Sequence, residues 1–241
     1  MAAAFESESE SDPSAPEPGA SPAPRTAKGE SERTELGKRA SSAARRVSES
    51  KATVPHIYLG RTAVLSAGAG SGAEGAAGVI AALGRALAAH RGLNGAYRDG
   101  AIETHSRINV GITVETGDGT LVPTVLDADK KSMTEIATEI EELRAGAVAG
   151  TLPAPAYSGA TFTVTVLREG ADSVLAPVTP GQAAHLAVGR VRQAVVVGAS
   201  NAPEVADVVD LGLSCDARAV RPPVAAEFLD SLAALIGDSA G

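Results

Sequence analysis

The chain has 241 residues, enough for one domain with a sizeable hydrophobic core or for one domain and a tail. Its formal net charge of −8 and its aromatic content of 2% both argue against a protein that binds nucleic acid through a basic surface or an aromatic platform. A single cysteine excludes an intrachain disulfide, and no apolar run reaches the roughly 18 residues of a membrane span.

Residues 1–31 are predicted to be a disordered tail. The segment begins with acidic residues at Glu6, Glu8 and Glu10 and continues with repeated Pro, Ala and Ser. It has almost no apolar side chain larger than Ala to offset the entropy of ordering. An acidic start is unlike a secretory leader, so we expect a cytoplasmic protein with neither nucleic acid nor a membrane as partner. Residues 32–241 are predicted to form one folded domain.

The first predicted elements are an amphipathic helix over residues 34–50 and a strand that begins near His56. A histidine beside a β run is usually packed and hydrogen-bonded, so we expect a structural role for it. The glycine-rich stretch 65–78 predicts a flexible loop, because glycine is costly to fix in a helix. Its glycine spacing fits no phosphate-binding fingerprint. An Ala/Leu helix is predicted from Val79 to His90.

The middle of the chain predicts a hairpin followed by a helix. Two β-branched runs, 107–115 and 120–126, flank a turn at Gly117-Asp-Gly119. Ser132 and Glu135 then form a capping box that opens a helix. The buried stripe of this helix is predicted to consist of Ile136, Ile140, Leu143 and Ala147.

Further strands are predicted around residues 161–167, 191–197 and 205–215, and the last one ends at a sharp turn. Asp216 and Arg218, two residues apart and so on one face of an extended chain, bring opposite charges to this turn, and we expect Asp216 to pair with Arg218. Val224, Phe228, Leu229, Leu232, Leu235 and Ile236 then repeat at helical spacing, after a proline suited to a first helical turn. We expect the functional site at this turn.

The turn resembles the C-terminal signature of the dihydrolipoamide acyltransferases, the catalytic core of 2-oxoacid dehydrogenase complexes, written Ser-x-Asp-His-Arg-x-x-Asp-Gly. Ser214, Asp216 and Arg218 match the signature. Ala217 stands where the family has its catalytic histidine, and Arg221 stands where it has Asp or Asn. Two functional positions of the family are therefore lost.

Three other stretches are similar to the same family. They are the helix and strand start that lead to Thr53-Val-Pro-His56, the run from Asn109 to Ser132, and residues 159–167. In the third stretch Thr165 occupies the position of a Ser or Thr that donates its hydroxyl to the oxyanion. The resemblance implies an α/β fold, a two-layer chloramphenicol acetyltransferase-like sandwich with a mixed β-sheet and helices on one face. It also implies a homotrimer or a larger assembly.

The resemblance implies transfer of an acyl group, here expected to be acetyl, from an acyl-CoA or acyl-carrier thioester to a thiol or hydroxyl. The acceptor would be a small molecule or carrier-bound. Acyl transfer needs a base and an oxyanion donor, and only the donor candidate, Thr165, is retained. One interpretation is therefore a stand-alone acyltransferase, including one that acylates hydroxyl groups in natural-product pathways. The alternative is a catalytically inactive homologue with an assembly or regulatory role. A lipoyl-bearing subunit is disfavoured, because no lipoyl domain is recognised in the sequence.

No other residue is expected to supply the missing base. His185 stands where the family has an apolar residue, and His90 and His105 lie near element ends, so all three are expected to be incidental. Cys215, in an apolar strand beside a carboxylate, should have a raised thiol pKa and belong to the core. No residues show metal-ligand spacing, so we expect no metal and no lipoyl attachment.

Overall fold

The computed structural model describes residue 29 and residues 31–66, 73–198 and 200–238. Almost all of the tail predicted for residues 1–31 lies outside the described residues, as do residues 67–72 of the predicted loop. The described helices are α1 (Lys38–Thr53), α2 (Ala73–Ala89), α3 (Met133–Ala149) and α4 (Pro222–Gly237). The described strands are β1 (His56–Val64), β2 (Gly95–Arg98), β3 (Ala101–Thr104), β4 (Val110–Ile112), β5 (Val114–Thr116), β6 (Gly119–Leu121), β7 (Thr124–Val125), β8 (Phe162–Val166), β9 (Ala184–Val188), β10 (Arg192–Val197) and β11 (Pro203–Asp216).

A mixed sheet of seven strands is the centre of the fold. Its order is β1-β11-β9-β8-β4-β7, and β10 pairs with the first half of β11. The β4–β8 and β8–β9 pairs are parallel, whereas the other pairs are antiparallel. The sheet therefore joins the strands of the central hairpin to the long C-terminal strand, and the predicted mixed α/β class is confirmed.

The helices α2, α3 and α4 cover one face of this sheet. Alternate residues along each strand point to this face, as the two-residue period of a strand requires. Phe162 of β8 and Leu186 of β9 meet Ile80 of α2 and Phe228 of α4 in one buried cluster. Burial of each such side chain contributes about 1.5–3 kcal/mol, so this layer supplies most of the hydrophobic stabilisation. The predicted placement of helices on one face is confirmed for these three helices.

The opposite face of the sheet is covered in part by the segment 172–182. A Cβ atom on Gly212 would lie 2.3 Å from the carbonyl oxygen of Val174, so only glycine allows this close approach. Ser50 of α1 donates to the Val178 carbonyl oxygen at 2.6 Å, and the Val178 N–H donates to His56 Nε2 at 3.0 Å. His56 therefore ties this segment to β1, which is the structural role expected from the sequence.

Most predicted elements are present, and two differ from the prediction. The hairpin is formed by the β4–β7 and β5–β6 pairs, and the capping box of α3 is complete. The helix α2 begins at Ala73, six residues before the predicted start at Val79. Ala77, in the part of α2 that was predicted to be a loop, is fully buried. Its burial offsets the entropic cost of holding the neighbouring glycines in a helix. In α1 the predicted apolar stripe is not covered, since Val47 is 50% exposed. Among the described helices, none is both long and apolar enough to cross a membrane.

Candidate active site

A cleft of about 520 Å³ opens on the sheet face opposite α2, α3 and α4. Its floor carries the hydroxyls of Thr163 and Thr165 on β8, with His185 on the neighbouring strand β9. The parallel register pairs Thr163 with His185, and because side chains alternate along a strand, residues 163, 165 and 185 share one face. The walls are formed by α1 on one side and by residues 176–182 on the other.

The Thr165 hydroxyl has a hydrogen-bond partner on either side. Thr165 Oγ1 lies 2.9 Å from His185 Nε2, and the Thr113 hydroxyl donates to Thr165 Oγ1 at 3.1 Å. A hydroxyl has one proton to donate. Since the Thr113 hydroxyl already uses its proton on Thr165, the proton of Thr165 is directed at His185.

The tautomer of His185 follows from its second contact. His185 Nδ1 lies 2.9 Å from the Pro177 carbonyl oxygen, which can only accept, so Nδ1 carries the ring proton. The Nε2 lone pair is therefore free to accept from Thr165. Burial lowers the pKa of His185 to about 4, although the hydrogen bond to Pro177 works in the opposite direction. The imidazole is accordingly neutral near pH 7.

His185 was expected to be incidental, whereas the structure places it in hydrogen-bond contact with Thr165 on the floor of the cleft. The sequence shows only a histidine within an apolar run, twenty residues after Thr165. The parallel pairing of β8 and β9 brings the two side chains together, and no local sequence pattern reveals that pairing. The contact also changes the interpretation of Thr165. In this arrangement its proton is engaged, so donation to an oxyanion requires that the hydroxyl first leave His185.

A second polar network holds the wall of the cleft against its floor. Thr163 donates to Gln182 Oε1 at 2.8 Å, and Gln182 Nε2 donates to the Ala160 carbonyl oxygen at 3.1 Å. The Thr179 hydroxyl donates to Thr163 Oγ1 at 3.2 Å. These bonds fix residues 179–182 next to β8, so that the wall keeps its position beside Thr165.

Two arginines lie at the cleft. Arg46 of α1 and Arg98 of β2 both line it, and Arg98 also pairs with Glu103 at 2.9 Å. The carboxylate of Glu115 lines the same cleft and accepts from the Thr120 hydroxyl at 2.8 Å. The cleft therefore has two guanidinium groups that can bind an anionic part of a ligand, while the groups on its floor beside Thr165 are neutral.

The signature turn after β11 is held by the predicted ion pair. The buried Asp216 carboxylate accepts from the backbone N–H of Arg218 at 3.0 Å and from its guanidinium at 2.7 and 2.9 Å. Arg218 also lies over the ring of Tyr97, 4.4 Å from its centre. Asp216 raises the pKa of Arg218. Both side chains are therefore committed to the shape of the turn and do not offer a free acid or base.

Ala217 and Arg221, the two altered signature positions, are exposed at the same turn. The Ala217 N–H donates to the Pro55 carbonyl oxygen at 2.8 Å. Neither residue is among those that line the Thr165 cleft. Asp216 and Arg218 instead line a second cleft of about 360 Å³, which shares residues 180–182 and Arg98 with the first. The Thr165 cleft and the turn thus occupy neighbouring parts of one surface.

The remaining candidates lie outside the cleft. Cys215 is fully buried, and burial together with Asp216 raises the pKa of its thiol to about 12, so it belongs to the core as expected. His90 Nε2 lies 2.9 Å from the Ser231 hydroxyl. The backbone N–H of His105 donates to Asn94 at 2.8 Å. Within the described part of the chain, no group of three His, Cys, Asp or Glu side chains could hold a metal ion.

Residues 75–240 match the family described as 2-oxoacid dehydrogenases acyltransferase (catalytic domain). Among curated proteins, the chain is 34% identical over 205 residues to dihydrolipoyllysine-residue acetyltransferase component 3 of the mitochondrial pyruvate dehydrogenase complex from Arabidopsis thaliana. That alignment covers 77% of this chain and 38% of the relative. The chain therefore spans well under half the length of this relative.

Two solved structures share the architecture. One is the dihydrolipoamide acetyltransferase of Azotobacter vinelandii, studied for the roles of a serine, a histidine and an asparagine in its catalytic mechanism. It has 25% identity and a TM-score of 0.81, and the match covers 92% of this chain and 97% of that one. The other is the cubic core of a pyruvate dehydrogenase multienzyme complex, with 26% identity, a TM-score of 0.81 and coverage of 91% and 98%.

Proposed function

The chain belongs to the family of 2-oxoacid dehydrogenase acyltransferase catalytic domains, and we propose that it transfers an acyl group from a thioester to a thiol or hydroxyl acceptor in the Thr165 cleft. The observation that carries this proposal is the Thr165 hydroxyl, hydrogen-bonded to a neutral imidazole on the floor of an open cleft. Acyl transfer needs a proton acceptor and a donor near the carbonyl oxygen, and the hydroxyls and imidazole of this floor are groups of those types.

The proposed donor is an acyl-CoA or acyl-carrier thioester with a small acyl group such as acetyl. Arg46 and Arg98 support this choice, because guanidinium groups bind phosphate through charge-assisted hydrogen bonds. The neutral floor beside Thr165 suits an uncharged acyl carbon. The first proposed acceptor is a thiol of a dihydrolipoyl group, and its support is the relative's name, which specifies a dihydrolipoyllysine residue. A hydroxyl of a small molecule, as in natural-product tailoring, is the second proposed acceptor.

The proposed assembly is a homotrimer or a larger oligomer. Its support is the cubic core formed by one structural relative, together with the exposure of Ala217 and Arg221 at the edge of the neighbouring cleft. In such an assembly the signature turn of one subunit would complete the Thr165 cleft of the next. Light scattering coupled to size-exclusion chromatography measures the mass directly.

The activity is tested with acetyl-CoA and dihydrolipoamide, or a panel of alcohols, by measuring the acetylated acceptor with chromatography and mass spectrometry. Thr165→Val removes the hydroxyl and should reduce turnover by about 10²–10³, the usual cost of losing one such donor. Thr124→Val is the matched control, because it removes a buried strand hydroxyl of β7 outside the cleft. Turnover of any acceptor that is measurable in the wild type and equally fast in Thr165→Val would refute the assignment of the site.

A second candidate function is that of a non-catalytic homologue that assembles with an intact acyltransferase. The observation that favours it is Ala217, whose methyl group cannot accept a proton. This function predicts that the purified chain binds acyl-CoA without turnover of any acceptor. It also predicts that the chain enters mixed oligomers when it is produced together with an intact relative.

A further inference from the structure

The six serine and threonine hydroxyls that line the Thr165 cleft all have their protons engaged within the protein. A hydroxyl has one proton to donate and two lone pairs that accept. Thr165 donates to His185, and Thr163 donates to Gln182. The other four are Ser50, which donates to the Val178 carbonyl oxygen, Thr113, which donates to Thr165, Thr120, which donates to Glu115, and Thr179, which donates to Thr163. These hydroxyls therefore offer a ligand only their lone pairs.

For the two hydroxyls on β8, the partner fixes the direction of the bond. His185 Nδ1 donates to the Pro177 carbonyl oxygen, so Nε2 can only accept from Thr165. Gln182 Nε2 donates to a backbone carbonyl oxygen, so the amide oxygen of Gln182 faces Thr163 and can only accept. Thr163 is 1% exposed, whereas Thr165 is partly exposed to the cleft. Thr165 is thus the hydroxyl of β8 that meets a ligand, and it meets the ligand as an acceptor.

Two acceptor oxygens lie side by side on the floor of the cleft. Thr113 Oγ1 and Thr165 Oγ1 are 3.1 Å apart, and both side chains are partly exposed. Thr165 Oγ1 has one lone pair left after its bonds to Thr113 and His185, and Thr113 Oγ1 accepts from no group in the described part of the chain. An amino group has two N–H bonds and can donate to both oxygens, whereas a hydroxyl or a thiol has a single hydrogen. The oxygen pair therefore favours an amino group.

The replacement at Ala217 favours the same class of acceptor. A thiol or a hydroxyl attacks a carbonyl carbon as its anion or with the help of a base. The signature base is absent at Ala217, and His185 is buried with both ring nitrogens engaged. A neutral amine attacks with its nitrogen lone pair and needs no prior loss of a proton. A strongly basic amine is protonated near pH 7 and has no free lone pair, so the acceptor that fits is a weakly basic amine.

We propose that the Thr165 cleft acylates a weakly basic amine, such as an aromatic amine or a hydrazide, whose NH2 group donates to Thr113 and Thr165. The inference rests on the proposed function for the site and the thioester donor, and it goes beyond the thiol and hydroxyl acceptors. The amine nitrogen attacks the thioester carbonyl carbon and forms a carbon–nitrogen bond. The carbon–sulfur bond then breaks, and one proton of the nitrogen passes to the departing thiolate. The products are an amide and a free thiol.

The acceptor class is tested with the full chain, acetyl-CoA and three probes that share a benzene ring: aniline, benzyl alcohol and benzylamine. The acetylated product is measured by chromatography and mass spectrometry, and the rate without protein is subtracted. Aniline, which is neutral at pH 7.5, should be acetylated about tenfold faster, or more, than benzyl alcohol or dihydrolipoamide, because the latter two need a base. The rate with aniline should be nearly constant between pH 6.5 and pH 8.5. The rate with benzylamine should rise about tenfold per pH unit as this amine loses its proton.

Two variants test the contacts of the amino group. Thr113→Val removes one oxygen of the pair, so the KM for aniline should rise about fivefold, the usual effect of one neutral hydrogen bond, while the KM for acetyl-CoA stays the same. His185→Ile, which restores the apolar character of the family at this position, allows the proton of Thr165 to turn towards the cleft. It should therefore lower the ratio of the aniline rate to the benzyl alcohol rate. Thr124→Val, which removes a buried hydroxyl outside the cleft, is the control and should change neither quantity. Circular dichroism confirms the fold of each variant.

The outcomes separate this inference from the proposed function. Acetylation of benzyl alcohol or dihydrolipoamide at a rate equal to or above that of aniline overturns the inference and keeps the proposed function. An aniline rate that rises tenfold per pH unit would also overturn it, because attack would then require a base. A KM for aniline and a rate ratio that both folded variants leave unchanged would show that the amine does not bind at the oxygen pair. Absence of transfer to every acceptor overturns the inference together with the proposed function.

Discussion

Ala217 places a methyl group where the resembled family has an imidazole, and the consequence for transfer to a thiol can be measured. Loss of a positioned base costs about 10²–10⁴ in rate, so the wild type should acetylate dihydrolipoamide very weakly or undetectably. The double variant Ala217→His, Arg221→Asp restores the signature at an exposed turn and should raise this rate. The acetylated product is measured for both proteins over a range of acceptor concentrations.

The control for this restoration is the same double variant with Thr165→Val added. Because the restored histidine still needs the Thr165 cleft, the triple variant should fall back towards the background rate. Robust wild-type turnover that survives Thr165→Val would mean that the base and the donor both lie elsewhere.

His185 also makes a prediction about stability. Its pKa is about 4 in the folded chain and about 6.5 when unfolded. As the pH falls below 6.5 the unfolded chain binds the proton first, so the stability contributed by the neutral ring is lost between pH 6.5 and 4. At pH 5 this loss amounts to roughly 2 kcal/mol. Urea unfolding of the wild type and of His185→Gln at pH 7.5 and pH 5 measures the difference.

The variant lacks this ionisation, so its free energy of unfolding should fall less between the two pH values. His56, whose pKa is also lowered by burial, contributes in the same direction in both proteins and cancels in the comparison. An identical decrease in both proteins would show that His185 is not buried as described.

The residues of the site differ in how far the sequence could reveal them. Asp216, Arg218 and Thr165 stand in recognisable motifs, and the ion pair between the first two was predicted from their spacing and is present. His185 stands in no motif. Its contact with Thr165, twenty residues earlier, comes from the parallel pairing of β8 and β9, and such pairing is set by the whole sheet. The hydrogen bond between His185 and the Pro177 carbonyl oxygen could not be predicted either, because every residue has a backbone carbonyl and the residue type does not show which one is used.

Single elements were predicted best where the signal was local. The capping box of α3 depends on two residues three apart, and it is found as expected. The start of α2 was predicted too late, because glycine propensity favours a loop while burial of Ala77 favours the helix. For α1 the predicted helix is present, but its predicted apolar stripe is not buried, since Ala44 and Val47 are exposed. Within the described chain that side, including Val47, faces the cleft.

The close packing of segment 172–182 on β11 makes a prediction at the scale of an element. Gly212→Ala would place a Cβ atom 2.3 Å from the Val174 carbonyl oxygen. Either the segment or the strand must shift, so the free energy of unfolding should fall by about 1–3 kcal/mol. Because the displaced segment carries Pro177, any acyl transfer should fall as well. Urea unfolding and the acetylation assay measure the two effects.

Gly60 provides a matched control for this substitution. It is the register partner of Gly212 in the β1–β11 pair, yet a Cβ atom there would lie 4.0 Å from the Leu211 carbonyl oxygen, an ordinary van der Waals distance. Gly60→Ala should therefore be neutral or slightly stabilising, since alanine reduces the entropy of the unfolded chain. Equal destabilisation by the two substitutions would contradict the described packing.

At the scale of the whole molecule, Arg221 tests whether the signature turn acts in a neighbouring subunit. Arg221 is exposed and does not line the Thr165 cleft of its own chain, whereas Arg46 does. If subunits assemble with the turn at the next cleft, Arg221→Ala should weaken coenzyme A binding by up to about fivefold. This is the size expected for an exposed ion pair, which contributes about 1 kcal/mol or less. Isothermal titration calorimetry at low salt measures the Kd.

Comparing three arginine variants separates a contact across subunits from a general effect of charge. Arg61→Ala is the control, because it removes an exposed arginine that pairs with Asp230 outside the cleft. It should leave the Kd unchanged, while Arg46→Ala should weaken binding from within the chain. The Arg221 effect should also disappear under conditions in which light scattering finds only monomers, since the two sites then belong to separate molecules. A weakening that persists in the monomer, or an unchanged Kd in the oligomer, would refute the arrangement in which one subunit completes the cleft of the next.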